Sequence, residues 1–245
     1  MPLCVYIQVL KEGSQQVIAY FPAGYWYNLF SYQLDIEAPA VGKVAKLHTP
    51  LTDIQVHVHG GHILPLQESA RTTTLSRQSP FTLLVALCPG YGAEGELFWD
   101  DGEQVAIKHY LNVSYEAKTT LATSSSSSSA TLGIHDSSQD KGLHGQVKNT
   151  ILHNTFAAAT DFKINHIKIL SKGSQYFKNN VITGSLAIFT SPSKGGGATS
   201  ATSASTAIVT GTITTLQNTQ IIEFHNLNLP LSHTFVLSYN KNKEQ

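Results

Sequence analysis

The sequence predicts an all-β protein of two antiparallel β-sandwich domains with long Ser/Thr/Gly-rich loops. Three observations carry that expectation. Short apolar or alternating segments recur between turn signals at about the 8–12-residue spacing of sandwich strands. No long stretch repeats apolar residues at the 3.6-residue period of a surface helix, which argues against a barrel of alternating strands and helices. Two polar tracts interrupt the second half: residues 119–145, with consecutive serines at 124–129, and residues 191–206. Such tracts cannot bury enough apolar surface to offset their ordering entropy, so both are expected to be long mobile loops.

The elements follow in order. Residues 4–10 read as a buried strand beginning almost at the first residue, as in a chain that starts within a larger protein. Residues 17–21 form a strand closed by Pro22-Ala23-Gly24, a turn signal. Residues 42–47 alternate before Pro50, and residues 54–59 alternate strictly, with Ile54, Val56 and Val58 facing one way. Gly60-Gly61 ends that strand, and residues 62–66 follow. Residues 81–87 are a continuous apolar run of buried-strand length. Residues 95–99 lead into Asp101-Gly102, a hairpin-type dipeptide. Strands resume at 110–115, 166–170, 186–189, 221–224 and 235–239. A boundary between the two sandwiches is expected near residues 102–108.

The 245 residues suffice for one large or two ordinary domains, and 41% are hydrophobic. Charged residues are 13% and the net charge is zero, so the chain has no basic field for nucleic acid or anionic lipid. No apolar run approaches the roughly 20 residues of a membrane span. No secretory signal is visible at the start, which lacks a basic flank and a small-residue cleavage site. The two cysteines, Cys4 and Cys88, allow a disulfide, but two separate buried thiols are the simpler expectation.

Four groups of side chains are candidates for chemistry. Asp100 and Asp101 form an adjacent carboxylate pair. They read either as acid and nucleophile, as a structural turn, or as part of a cation site. Adjacent positions at a strand-to-turn corner send side chains apart, and Asp-Gly suits a tight turn, so the turn is the expected role. His57, His59 and His62 give H-x-H-x-x-H. Histidines at i and i+2 share a strand face, which allows zinc or copper; the alternative is a polar face on a half-buried strand. Tyr25, Trp26 and Tyr27, with Phe30 and Tyr32, form an aromatic cluster. Tyr25 and Trp26 are the candidates for stacking on sugar rings, against core packing as the alternative, which is also expected of Trp99. Asn112-Val113-Ser114 is an N-glycosylation sequon on an expected strand. No cofactor and no metal are expected.

Four stretches together resemble glycoside hydrolase family 31, the α-glucosidase family. Ala19-Tyr20-Phe21-Pro22-Ala23-Gly24-Tyr25-Trp26-Tyr27-Asn28-Leu29 is similar to A-Y-F-P-x-G-x-W-[YF]-[DN]-L. Residues 54–67 are similar to I-x-V-H-x-R-x-G-x-I-[IL]-P-[LM]-Q, with His57 at the family's histidine and His59 where arginine is usual. Thr72-Thr73-Thr74 precedes Arg77 and Pro80 at matching spacing, and residues 95–103 are similar to G-x-L-[FY]-x-D-D-G-E. Plant and animal acid α-glucosidases are the nearest pattern.

The resemblance implies a division of the chain. Residues 1–18 would be the barrel exit and first strand, 19–103 the proximal C-terminal sandwich, and 104–245 the distal one carrying the two tracts. It also implies a catalytic (β/α)8 barrel as partner, α-linked glucosides or α-glucan as substrate class, and a secreted, vacuolar, lysosomal or apoplastic location. The family's nucleophile motif, W-x-D-M-N-E, is not in this sequence. The expectation is an accessory region that buttresses a barrel and catalyses nothing alone. A free-standing carbohydrate-binding module and a sandwich without a sugar role are the alternatives.

Overall fold

The structure, a computed structural model, describes residues 3–88, 90, 92–121, 143–173, 180–190 and 203–241. In chain order the strands are β1 (Cys4–Ile7), β2 (Gln16–Phe21), β3 (Gly24–Asn28), β4 (Leu34–Ala38), β5 (Lys43–His48), β6 (Gln55–His59), β7 (His62–Leu66), β8 (Phe81–Ala86) and β9 (Gly92–Trp99). After these come β10 (Leu111–Leu121), β11 (Leu143–Asn154), β12 (Lys163–Lys172), β13 (Asn180–Thr190), β14 (Ser203–Leu216), β15 (Thr219–Phe224), β16 (Leu229–Pro230) and β17 (Thr234–Lys241). A short α-helix, α1 (Thr73–Arg77), starts at Thr72, whose hydroxyl accepts from the Leu75 N–H at 3.3 Å. The all-β sandwich class read from the sequence holds.

The strands form three sheets. A four-stranded sheet runs β1-β6-β3-β4, and β2 pairs with β5 as a separate ribbon. The large sheet runs β15-β14-β13-β17-β11-β10-β9-β7-β8-β12, and the β12–β15 pairing closes it on itself, with β16 flanking β12. Pairing is antiparallel except for β8 on β12 and a single parallel bridge, His62 to Glu94, between β7 and β9. The hydrogen-bonded ladder crosses the expected 103/104 boundary twice. Leu111 of β10 registers with Trp99 of β9, and β8 lies along β12. The two expected sandwiches therefore share a wall.

Three cores follow from the period-two alternation of side chains. Phe81, Leu83 and Val85 of β8 point into the closed sheet, with Ile167 and Ile169 of β12 and Leu111, Val113 and Tyr115 of β10. Leu84 and Ala86 point the other way, onto Tyr27, Leu34 and Val58 of the four-stranded sheet. That sheet's far face packs Trp26, Ile36 and Ala38 against Phe21 and the ribbon. From Leu83 to Ala86, strand β8 thus has no solvent face, and only Thr82 interrupts its apolar run. Polar links pin the four-stranded sheet to the wall. Tyr27 Oη donates to the Leu87 carbonyl at 2.9 Å, Leu34 N–H donates to Thr219 Oγ1, and Lys172 Nζ bridges both Glu37 oxygens at 2.8 Å.

Some sequence readings need correcting. In β6, Val58 is buried, but Ile54 lies outside the strand and is exposed, while His57 is fully buried. The strand lies between two packed layers, so neither face is a solvent face. Cys4 and Cys88 are both free, with Cys4 exposed rather than buried. Residues 119–121 and 143–145 belong to β10 and β11, and 203–206 to β14, so the ladders extend into both expected loops. The remainders of those tracts, 122–142 and 191–202, lie outside the described residues.

Tyr27→Phe leaves the buried Leu87 carbonyl without the phenol donor, which costs about 1–3 kcal/mol. Urea unfolding is expected to show a lower midpoint with an unchanged m value.

Candidate functional site

The Asp100–Asp101 corner follows from the end of β9. Asp100 Oδ1 accepts the Gly102 N–H at 2.9 Å, and Asp101 Oδ1 accepts those of Glu103 and Gln104 at 3.1 and 3.2 Å. These donors hold the Asp101 carboxyl below its usual range, the Glu103 N–H first. Gly102 has φ 74°, and a Cβ there would come within 3.0 Å of the Arg77 guanidinium. Arg77 lies over the Trp99 ring at 3.9 Å, donates to the Asp100 carbonyl, and stands 4.0 Å from that residue's carboxylate. Gln67 Nε2 donates to the Arg77 and Ser79 carbonyls at 3.1 and 2.8 Å, fixing the end of α1. Trp99 meets Phe81 and Phe162 edge-on at 5.0 and 5.4 Å. Each carboxylate serves its own local turn, and the conspicuous partner is an arginine that pattern reading noted only for its spacing.

The histidines are set by β6 and β7. His57 Nε2 lies 3.1 Å from Asp35 Oδ2, and its ring is edge-on to Phe21 at 5.1 Å. His59 donates from Nε2 to the Ala23 carbonyl at 3.1 Å and packs 4.6 Å from Trp26. Gly24 makes that approach possible, since a Cβ there would come within 2.4 Å of the imidazole. His62 lies 5.5 Å from the His59 ring, and its pKa is lowered by burial and then by His59. The Nδ1 atoms of His57 and His59 are buried without a hydrogen-bond partner among the described residues. Among those residues no three His, Cys, Asp or Glu side chains converge as a ligand set. The polar face expected on this strand is instead part of the aromatic layer beneath the ribbon.

Trp26 is fully buried, its Nε1 donating to the Pro22 carbonyl at 2.8 Å, so its faces are closed to a sugar. Tyr25 is half-buried with Lys172 Nζ 5.6 Å over its ring. Asn112 sits on the outward face of β10 with Ser114 and Glu116. Glu116 bridges Lys118 at 2.5 Å and Lys148 at 2.8 Å, and these bonds hold its carboxyl down to about 2.

One surface was missed in the sequence. On the outer side of the β2–β5 ribbon, Ile18 is 72%, Tyr20 58% and Val44 65% exposed, with Tyr20 and Val44 in register. Beside it lies a groove of about 840 Å³ lined by Tyr6, Leu10, Thr49, Pro50, Leu51 and Ile54. The signal was present, because residues 17–21 are apolar on both strand faces, the pattern of a strand covered on both sides. Here only one side is covered.

Residues 6–64 match the Glycosyl hydrolase family 31 C-terminal domain. The chain is 50% identical over 95 residues to an α-glucosidase of Hordeum vulgare, covering 39% of this chain and 11% of that protein. It is 38% identical over 135 residues to the lysosomal α-glucosidase of Mus musculus, covering 48% of this chain and 14% of that protein. The chain thus matches only a small part of these relatives' length. The crystal structure of a glucosidase II α subunit superposes over 97% of this chain and 22% of its own, with TM-score 0.65 at 15% identity. A family 31 dextranase of Flavobacterium johnsoniae gives 0.56 at 11% identity, over 98% of this chain and 26% of its own. These two share the fold. The resemblance to a family 31 C-terminal region, read from the four motifs, is borne out.

Arg77→Ala is expected to expose Trp99, red-shift its fluorescence and lower stability by about 1–3 kcal/mol. Arg77→Lys is expected to fail to restore either, because an ammonium lacks the planar fork. The Glu116 carboxyl has a second, pH-dependent consequence. Its folded pKa lies below its ordinary 4.5, so its stabilisation is complete above that value and is lost as pH falls toward 2. The site is exposed and salt screens it, so Glu116→Gln should flatten the acid limb of a melting-temperature profile at low salt and change little in molar salt.

Proposed function

We infer that this chain is the accessory C-terminal region of a glycoside hydrolase family 31 α-glucosidase-like enzyme, acting on α-linked glucosides, and that it buttresses the enzyme's catalytic (β/α)8 barrel. The outer face of the β2–β5 ribbon, where Ile18, Tyr20 and Val44 are exposed beside Gln16, Lys46 and His48, carries this reading together with the groove next to it. Ile18, Tyr20, Val44, Leu10 and Leu51 gather on elements that fall within the span of the family match. An apolar surface of this kind marks a contact site, and a junction inside a chain typically buries roughly 600–1,500 Å². Residues 19–103 would form the proximal sandwich next to the barrel and 104–245 the distal one, joined through the shared wall.

The chemistry would belong to the barrel. A retaining glycosidase needs two carboxyl groups about 5–5.5 Å apart across the scissile bond. Asp100 and Asp101 are committed to their own turns, so this chain would shape and stabilise the enzyme rather than cleave. The buried Trp26 removes one of the two stacking candidates on which a free-standing sugar-binding module depended.

Co-expression with a family 31 barrel tests the reading. The two polypeptides should co-purify in equal amounts, and Ile18→Glu with Val44→Glu should weaken capture more than about tenfold. Made alone, the chain should self-associate in light scattering and release no chromophore from a chromogenic α-glucoside. A monodisperse monomer that ignores the barrel and binds glucan would sink the idea.

A further inference from the structure

We propose that Asn112 is a site of N-linked glycosylation and that its first N-acetylglucosamine packs on Phe98. Asn112-Val113-Ser114 is the one Asn-x-Ser/Thr triplet in the sequence. Strand β10 buries Leu111, Val113, Tyr115 and Ala117 and turns Asn112 and Ser114 outward, so carboxamide and hydroxyl share one open face. Neither side chain makes a hydrogen bond among the described residues. The β10–β11 register shifts between Asn112 and Val113, where Leu152 of β11 is the residue left outside the ladder, and Asn112 keeps its place opposite both neighbouring strands.

The neighbours of Asn112 are aromatic. Its register partners are Phe98 on β9 and His153 on β11, and Tyr110 stands two residues before it on the same face. These rings form one row. Tyr110 stacks on Phe98 at 5.0 Å and on His153 at 4.1 Å, so both faces of Tyr110 are covered. Phe98 is an end of the row and is 49% exposed. A sugar ring presents a face of C–H bonds, and such a face covers an aromatic ring with the burial an aromatic neighbour would supply. An exposed phenyl directly across from the acceptor asparagine is placed for that cover. The face belongs to the large sheet, whereas the proposed barrel contact lies on the ribbon and β1, so a glycan here leaves that contact free.

The modification is a group transfer from a lipid-pyrophosphate-linked oligosaccharide, catalysed by a membrane-bound oligosaccharyl transferase. Asn112 Nδ2 displaces the pyrophosphate oxygen at the anomeric carbon. The C1–O bond breaks, a C1–N bond forms, the lipid pyrophosphate leaves, and one amide proton passes to a base on the transferase. Nothing is oxidised or reduced.

The full chain, translated behind a secretion leader with eukaryotic microsomes, tests the attachment without requiring that it fold. One mobility shift removed by peptide N-glycosidase is expected, lost in Asn112→Gln and in Ser114→Ala and retained in Phe98→Ala. No shift in the parent chain, or a shift that survives Asn112→Gln, overturns the site. Packing has its own measurement. Trimming with endoglycosidase H leaves one sugar on Asn112, and the trimmed protein should melt roughly 2–4 °C above the Asn112→Asp protein. Phe98→Ala should erase that difference. A difference that is absent, or that persists in Phe98→Ala, overturns the packing.

Discussion

Strand β8 sends Phe81, Leu83 and Val85 into the closed sheet and Leu84 and Ala86 onto the four-stranded sheet, and both cores require it to be dry on both sides. Burying a side chain of this size stabilises by about 1.5–3 kcal/mol, so a strand that does so on two faces concentrates stabilisation in few residues. The same constraint dictates its neighbours. A strand covered on both faces needs both of its ladder edges paired, because no water reaches its backbone. Strands β7 and β12 supply those edges, and through them β8 ties sequence-distant parts of the chain into one ring.

From that wall outward the molecule is a stack, and each layer exposes an apolar face that the next must cover. The wall is covered by the four-stranded sheet through Tyr27, Leu34 and Val58, and that sheet by the ribbon through Phe21. The ribbon is the outermost layer, and its uncovered side carries Ile18, Tyr20 and Val44 among Gln16, Lys46 and His48. The stacking explains why an apolar surface lies there and not on β10, whose outward positions are Asn112, Ser114, Glu116 and Lys118.

Much of this was legible in the sequence, and the remainder has identifiable physical causes. Alternation tells which side chains share a face, so the strands and the outward placement of Asn112 could be read. It does not tell what lies opposite that face. His57 and His59 looked like a polar edge, yet Phe21 and Trp26 close over them, contacts made by a ribbon whose position no local pattern encodes. The turn chemistry of Asp101-Gly102 was readable because it is local. The guanidinium of Arg77 between that turn and Trp99 was not, since it joins residues far apart in the chain. Pairing of β8 with β12 escaped for the same reason, although the run of residues 81–87, apolar apart from Thr82, was already the signature of a doubly buried strand.

The ladders of the second half close on particular pairs: Leu121 faces Leu143 at the end of β10 and β11, and Thr190 faces Ser203 at the end of β13 and β14. Each connection has to bring its two ends back to one fixed register. For a flexible connection that cost rises by about 0.6 kcal/mol for each doubling in length. Because that dependence is logarithmic, the paired ends Leu121–Leu143 and Thr190–Ser203 set a register that a change of a few residues in a flexible connection would disturb by less than about 0.6 kcal/mol.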